Sequence, residues 1–271
     1  MPTVSVAIPV FNGGRFLAEA VESVYAQTRS PDEVIVLDDG STDETPDIVG
    51  ELSAKYPLRQ VRQPNAGEAV ARNRCVELAS GDLLAFLDQD DLWDPHKLER
   101  QVEHIESWDI SFTDCIQQSH DGSSEIYQVR DWRWENALDR FSRAAVILTS
   151  SAVLARREML VPFEHVEPFG TDWLMWLRLA EAGRRIGHLP EPLTIRRLHE
   201  ANLSAGYDRY LESADAVLER LGNRRCSARW HLEAAIQAKE RGERHRARRH
   251  IIAASRAWPM AIRPGWLRML T

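Results

Sequence analysis

The stretch Leu83-Leu84-Ala85-Phe86-Leu87-Asp88-Gln89-Asp90-Asp91-Leu92-Trp93 decides how the chain is read. The apolar run Leu83–Leu87 fits a strand buried on both faces. It ends in three carboxylates, Asp88, Asp90 and Asp91. Burying a carboxylate is costly unless it is paired or bound to a cation. The favourable place for these three is therefore the carboxyl end of a central strand, where open α/β sheets bind ligands. Asp88 and Asp90 are two residues apart, so an extended chain points both to one side. Two hard oxygen ligands can hold Mg²⁺ or Mn²⁺ and leave positions free for phosphate oxygens. The competing reading is an acidic turn opening the next helix, with Asp94 as N-cap and Pro95 at N1.

Toward the N-terminus, Val4–Val10 reads as a buried strand and Phe11-Asn12-Gly13-Gly14 as a turn. Phe16, Leu17, Ala20, Val21, Val24 and Tyr25 recur at helical spacing. Glu33–Leu37 is a second strand, ending in Asp38-Asp39-Gly40-Ser41, with Ser41 or Thr42 as cap of the following helix. This βαβ start predicts an α/β fold with a mostly parallel sheet. Leu58–Arg62 and Asp109–Ile116 read as further strands. Helices are expected from Asn65-Ala66-Gly67 through Ala79, from Pro95 to Ser107, and from Asp172 to Ala182 with Gly183 as C′ residue. Val146–Leu154 looks extended. Pro190 and Pro192 confine Arg185–Ile195 to an edge or connector. Beyond Tyr207 the chain reads as Ala- and Arg-rich helices.

Asp38-Asp39 forms a second acidic pair at a strand end, able to accept hydrogen bonds from a ribose hydroxyl or a base N–H, or simply to cap a turn. No glycine-rich phosphate loop follows the first strand, which disfavours dinucleotide and Walker-type binding. Phosphate must then be neutralised by a cation at Asp88 and Asp90, and Arg72 could add a fixed positive charge.

The chain has 271 residues, 44% of them hydrophobic, enough for a sizeable core. Its net charge of −7 argues against nucleic acid as the main partner. From Ala205 onward the local charge is +7, which leaves −14 on residues 1–204. Cys75, Cys115 and Cys226 are far apart and form no C-x-x-C, so packing thiols of a cytosolic protein are expected. The N-terminus runs straight into a strand without a signal pattern. No stretch approaches the 18 or so apolar residues of a membrane span.

Together, V-F-N after the first strand, V-L-D-D-G-S-T-D, N-A-G-E-A-V-A-R-N, G-D-L-L-A-F-L-D-Q-D-D-L-W, G-T-D-W-L-M-W-L-R-L-A and R-R-L-H-E-A-N-L-S resemble the family-two inverting glycosyltransferases, in that family's order, over about residues 3–204. The resemblance implies a GT-A, Rossmann-like sandwich over residues 1–206 with a helical extension over 207–271. It also implies metal-assisted transfer, with Mn²⁺ or Mg²⁺, from a nucleotide sugar, expected to be a UDP-sugar, to a glycan or lipid-linked acceptor in cell-surface polysaccharide synthesis. By the same resemblance Asp39 meets the nucleobase, with Pro9 and Phe11 lining its pocket. Asp88 and Asp90 are the D-x-D pair, Asp90 being the direct metal ligand. Asp172 is the general base, with Thr171 where the family carries Glu. His199 lies near the diphosphate or metal, and Arg197 belongs to the same motif, with Arg196 where a tyrosine is common. A sugar-phosphate nucleotidyltransferase and a non-catalytic sugar- or partner-binding protein are the alternatives. The basic tail, with Trp258 and Trp266, suggests peripheral contact with an anionic inner membrane face.

Overall fold

The structure, a computed structural model, describes residues 1–167, 169–199 and 207–261. Nine strands form one sheet: β1 (Val4–Val10), β2 (Glu33–Asp38), β3 (Arg59–Arg62), β4 (Leu83–Phe86), β5 (Leu92–Trp93), β6 (Ile110–Ser119), β7 (Ser124–Tyr127), β8 (Val153–Arg156) and β9 (Ile186–Leu198). Their order is β3-β2-β1-β4-β8-β6-β9-β5, with β7 on β6. β1 to β4 pair in parallel, and β6 and β9 point the same way. Only β5, β7 and β8 run against them. The expected mostly parallel α/β sheet is therefore present, and the carboxyl ends of β1, β2, β4, β6 and β9 share one rim.

Strand alternation sends the two halves of each buried run to different layers. Val4, Val6, Ile8 and Val10 meet α1 (Gly14–Tyr25), α2 (Thr45–Lys55) and α4 (Lys97–His104) through Leu17, Val21, Val24, Val49, Leu52, Leu98 and Val102. Ala7, Phe86 and Phe112 face the opposite layer, which contains α3 (Glu68–Leu78), α5 (Ala137–Phe141) and α6 (Thr171–Glu181). Behind it lie α7 (Tyr207–Leu221), α8 (Arg224–Glu240) and α9 (Arg244–Ala257). Ala214, Val217, Leu218 and Trp230 join the same core as Trp173 and Trp176, both fully buried on α6. Gly170 has φ 118°, and a Cβ there would come within 2.7 Å of Val217, so glycine lets α7 close onto the head of α6. The three cysteines are buried and unbridged, and burial pushes the Cys75 and Cys115 thiols up to about 12.

Three local expectations change. Arg185–Ile195 is no connector but the body of β9, and the expected edge holds only where the prolines sit, since β5 pairs with Thr194 and Ile195 alone. β9 lies between β6 and β5, and its prolines sit where Thr113, Asp114 and Cys115 shift register, beside a stretch that β5 does not reach. A bulge with one open side needs no N–H from proline. Asp94 is not the N-cap of α4: that position is His96, and Asp94 Oδ1 accepts the His96 N–H at 2.9 Å. Ser41 does not cap α2 either; its hydroxyl accepts the Asn12 N–H across the sheet at 2.9 Å. At the start of α1 the Gly14 N–H is taken instead by Asp43 Oδ2, at the end of the D-G-S-T-D loop, and the Gly13 N–H by Thr45 Oγ1, the first residue of α2.

Candidate active site

At the end of β4 the Leu87 N–H still reaches Ala7 O, and the chain then turns through Asp88 to Asp91, whose N–H donates to Asp88 O at 3.1 Å. β5 follows, and Trp93 Nε1 anchors it to Ser151 O at 2.8 Å. Asp88 and Asp91 share Thr149 and Ser151 as partners, whereas Asp90 meets His199.

Asp88 accepts from Arg72 Nη2 at 2.7 Å on Oδ1 and from Thr149 Oγ1 at 2.9 Å on Oδ2, and its N–H donates to Ser151 Oγ. Asp91 is buried, with Oδ2 2.7 Å from both Thr149 Oγ1 and Ser151 Oγ. One Thr149 hydroxyl proton cannot serve Asp88 and Asp91 together. Burial, followed by the neighbouring charges of Asp88 and Asp90, pushes Asp91 up to about 7. Asp90 is half-buried, and its Oδ2 lies 2.9 Å from His199 Nε2; the His199 ring stacks on Phe16 at 4.9 Å. Gln89 Oε1 accepts the Phe11 N–H at 2.8 Å, and a Cβ on Gly13 would collide with the Gln89 amide at 2.6 Å. This close approach ties the first turn to the acidic one.

Arg72 is buried and contacts Glu68 and Asp88 at once. Its Nη1 makes no hydrogen bond to the described residues. Asp172 is the second residue of α6, half-buried, with Oδ1 accepting the Trp173 N–H at 2.8 Å. Burial comes first and the Glu68 charge second in pushing Asp172 up to about 6, opposed by Arg72. Glu68, Arg72, Asp88 and Asp172 thus form one electrostatic group over the face that α3 and α6 cover.

Asp39 lies at the end of β2, beside Val10, and is buried. Its carboxylate accepts from Gln63 Nε2 (2.7 Å), Ala66 N (3.0 Å) and Gly67 N (2.9 Å), so it pins the 63–67 loop. Asp38 is the turn former: it accepts the Ser41 N–H at 2.8 Å and pairs with Arg62 at 3.2 Å. Pro9 is half-buried and Phe11 is 45% exposed at the same strand end. Arg197 turns the other way. Its guanidinium meets Asp90 O, Glu19 and Phe16 O and lies over the Phe16 ring at 4.7 Å, fastening the acidic turn to α1.

Thus Asp88, Asp90, Arg72, Asp172 and His199 gather around one rim, with Pro9, Phe11 and Asp39 along it. Thr149, Ser151, Gln89 and Glu68 join them, residues whose pattern in the sequence carries no motif of its own. The polar run Thr149-Ser150-Ser151 inside an apolar stretch is the one sequence feature that marks two of them. Among the described residues no group of three or more His, Cys, Asp and Glu side chains forms a metal site. Asp90 and His199 converge within 2.9 Å on the partly exposed side of the turn, a fit for a cation that takes its other ligands from phosphate and water.

The sheet order, the helices on both faces and the acidic rim are those of the GT-A class of glycosyltransferase folds. The chain belongs to glycosyl transferase family 2, whose model matches residues 5–167. That span includes Asp39, Arg72, Asp88 and Asp90, while Asp172, Arg197 and His199 lie beyond it. An uncharacterized glycosyltransferase of Nostoc is 31% identical over 215 residues, 73% of this chain and 66% of that protein. The putative teichuronic acid biosynthesis glycosyltransferase TuaG of Bacillus subtilis is 39% identical over 126 residues, 45% of this chain and 50% of that one. The chain thus spans half to about two thirds of the length of these relatives. In structure it resembles S. aureus TarS 1-349 in complex with UDP-GlcNAc, with a TM-score of 0.61 at 20% identity over 94% of this chain and 89% of that one. It also resembles the Pyrobaculum calidifontis mannosyltransferase PcManGT in complex with GDP-Man and Mn²⁺, at 0.59 and 18% over 99% and 78%.

Proposed function

We propose that this protein is an inverting, metal-assisted glycosyltransferase that moves a sugar from a UDP-sugar to an acceptor hydroxyl in polysaccharide synthesis. The observation that carries the reading is the juxtaposition at the rim. A carboxylate raised to about 6, Asp172, shares a cluster with Arg72 and Asp88, next to the partly exposed Asp90–His199 pair. A sugar hydroxyl is a poor nucleophile at neutral pH. Asp172 would take its proton while the acceptor oxygen bonds the anomeric carbon and the bond from that carbon to the diphosphate oxygen breaks. The side chains of Asp90 and His199 would hold a divalent cation, which when bound neutralises the departing diphosphate. Pro9, Phe11 and Asp39 would receive the nucleoside; Asp39 would share with the base a carboxylate that now holds the 63–67 loop. Arg197 keeps a supporting role in this scheme, because its guanidinium is engaged with α1.

The nucleotidyltransferase alternative needs backbone N–H groups free for a triphosphate after β1. Those of Phe11, Asn12, Gly13 and Gly14 donate to Gln89, Ser41, Thr45 and Asp43 instead. The test is UDP release from a panel of UDP-sugars with Mn²⁺, with Mg²⁺ and with EDTA, beside pyrophosphate release from UTP plus sugar phosphates. UDP release that EDTA abolishes is expected. Pyrophosphate release, or no UDP release from any donor and acceptor pair, overturns the proposal.

A further inference from the structure

We infer that the outer face of α9 is a docking surface for an acidic lipid bilayer. α9 packs its buried side, Ala247, Ile251 and Ala254, onto α8. At 100° per residue, Arg244, His245, Arg248, Arg249, Ile252 and Arg256 fall within an arc of roughly 140° on the opposite side. All six are exposed. Arg244, Arg248 and Arg249 form no ion pair with the described residues, whereas Arg246, on the flank, pairs with Glu243 at 3.0 Å. Residues 241–256 hold six arginines against one glutamate, in a chain whose net charge is −7. Self-repulsion among unpaired arginines makes such a row unfavourable unless an anionic partner meets it.

The apolar side chains on this face point to lipid rather than to a soluble polyanion. Ile252 is 38% exposed in the middle of the cationic arc, and Met260, just past the helix, is 82% exposed. Trp258, between them in sequence, is half-buried and lies against α8, under the Arg225 guanidinium at 5.0 Å, so it is not part of the outer face. Cations ringing a few exposed apolar side chains suit the headgroup boundary, where the arginines meet lipid phosphates and the apolar groups enter the acyl region. No described helix is long and apolar enough to cross a membrane. The Trp266 part of the tail expectation lies outside the described residues.

The test is sedimentation of the full chain with phosphatidylcholine vesicles and with vesicles carrying about one third phosphatidylglycerol, at low and at physiological salt. Binding to the acidic vesicles only, weakened by salt, is expected. Each arginine near an acidic surface contributes about fivefold in affinity. Replacing Arg244, Arg248 and Arg249 together by Gln should therefore weaken binding on the order of 100-fold. Ile252→Ser should weaken it further, with far-UV circular dichroism and Tm unchanged in every variant. Equal, negligible binding to both vesicles overturns the inference. So does binding that the triple Gln variant retains, or capture by soluble heparin with none by vesicles. UDP release plays no part in this assay, so its result is independent of the catalytic proposal.

Discussion

The Arg72 guanidinium meets the Asp88 carboxylate at 2.7 Å and Glu68 at 3.0 Å, and it is the buried positive charge between the acidic turn and the head of α6. Removing one member of a buried pair leaves the other uncompensated, at about 3 kcal/mol. Arg72→Met is expected to cost about that much in denaturant unfolding. Because Arg72 also opposes the rise at Asp172, the acid limb of turnover should move to higher pH. An unchanged midpoint and an unchanged limb would show that Arg72 does neither.

Asp172→Asn keeps the side-chain oxygen that accepts the Trp173 N–H and removes the basicity. Turnover should fall by about 10² to 10⁴-fold. UDP affinity by calorimetry should hold, since the base meets the acceptor. Turnover within a few-fold of the parent would remove Asp172 from the chemistry, and lost UDP binding would make it a donor ligand.

The same carboxylate has a pH signature. Its folded pKa is raised to about 6 from 3.8, so its contribution to stability is present below the unfolded value and is lost as pH rises through about 6. Ionisation is required for proton uptake, so turnover should rise across that window as stability declines. At pH 8 Asp172→Asn should then be more stable than the parent, on the order of 3 kcal/mol. Parallel urea titrations of parent and variant at pH 4.5 and pH 8 test this, and equal differences at the two pH values would contradict it.

Asp90→Ala and His199→Ala should each abolish the Mn²⁺-dependent part of the thermal shift produced by UDP, because ligand stabilises only the state that binds it. The shift without metal should remain. If both variants keep the Mn²⁺ increment, the cation sits elsewhere.

Lys97 is fully buried under the Trp93 ring, its Nζ 2.7 Å from Gln101 Oε1, and burial pushes it down to about 7. The folded chain therefore binds fewer protons than the unfolded chain between about 7 and 10.5, and Lys97 adds a rising slope of stability with pH there, up to about 1.4 kcal/mol per pH unit. Lys97→Met should remove that slope, whatever its offset from stranding the Gln101 amide oxygen. An identical pH dependence in parent and variant would place the lysine in contact with water.

Local pattern determined much of this molecule. Val4–Val10, Glu33–Leu37 and Leu83–Leu87 announce their strands because a strand buried on both faces must be apolar throughout. The helix at Phe16 announces itself by periodicity and the one at Asp172 by an apolar run closed by Gly183, and the acidic residues after β2 and β4 belong at strand ends. Long-range packing set which group meets which. Asp38 and Asp39 are neighbours of one charge, yet one shapes a turn and the other holds a loop 24 to 28 residues away. Arg197 reaches back to Glu19 and Phe16, and Thr149 reaches Asp88 and Asp91 from an irregular segment without periodicity. β9 keeps two prolines because a bulge and an open flank receive them, and the short β5 covers only its far end. Periodicity reports the face on which a side chain lies, whereas partners across the sheet rim depend on strand order and loop closure. Those are long-range properties of the packed chain, and no single stretch of residues encodes them.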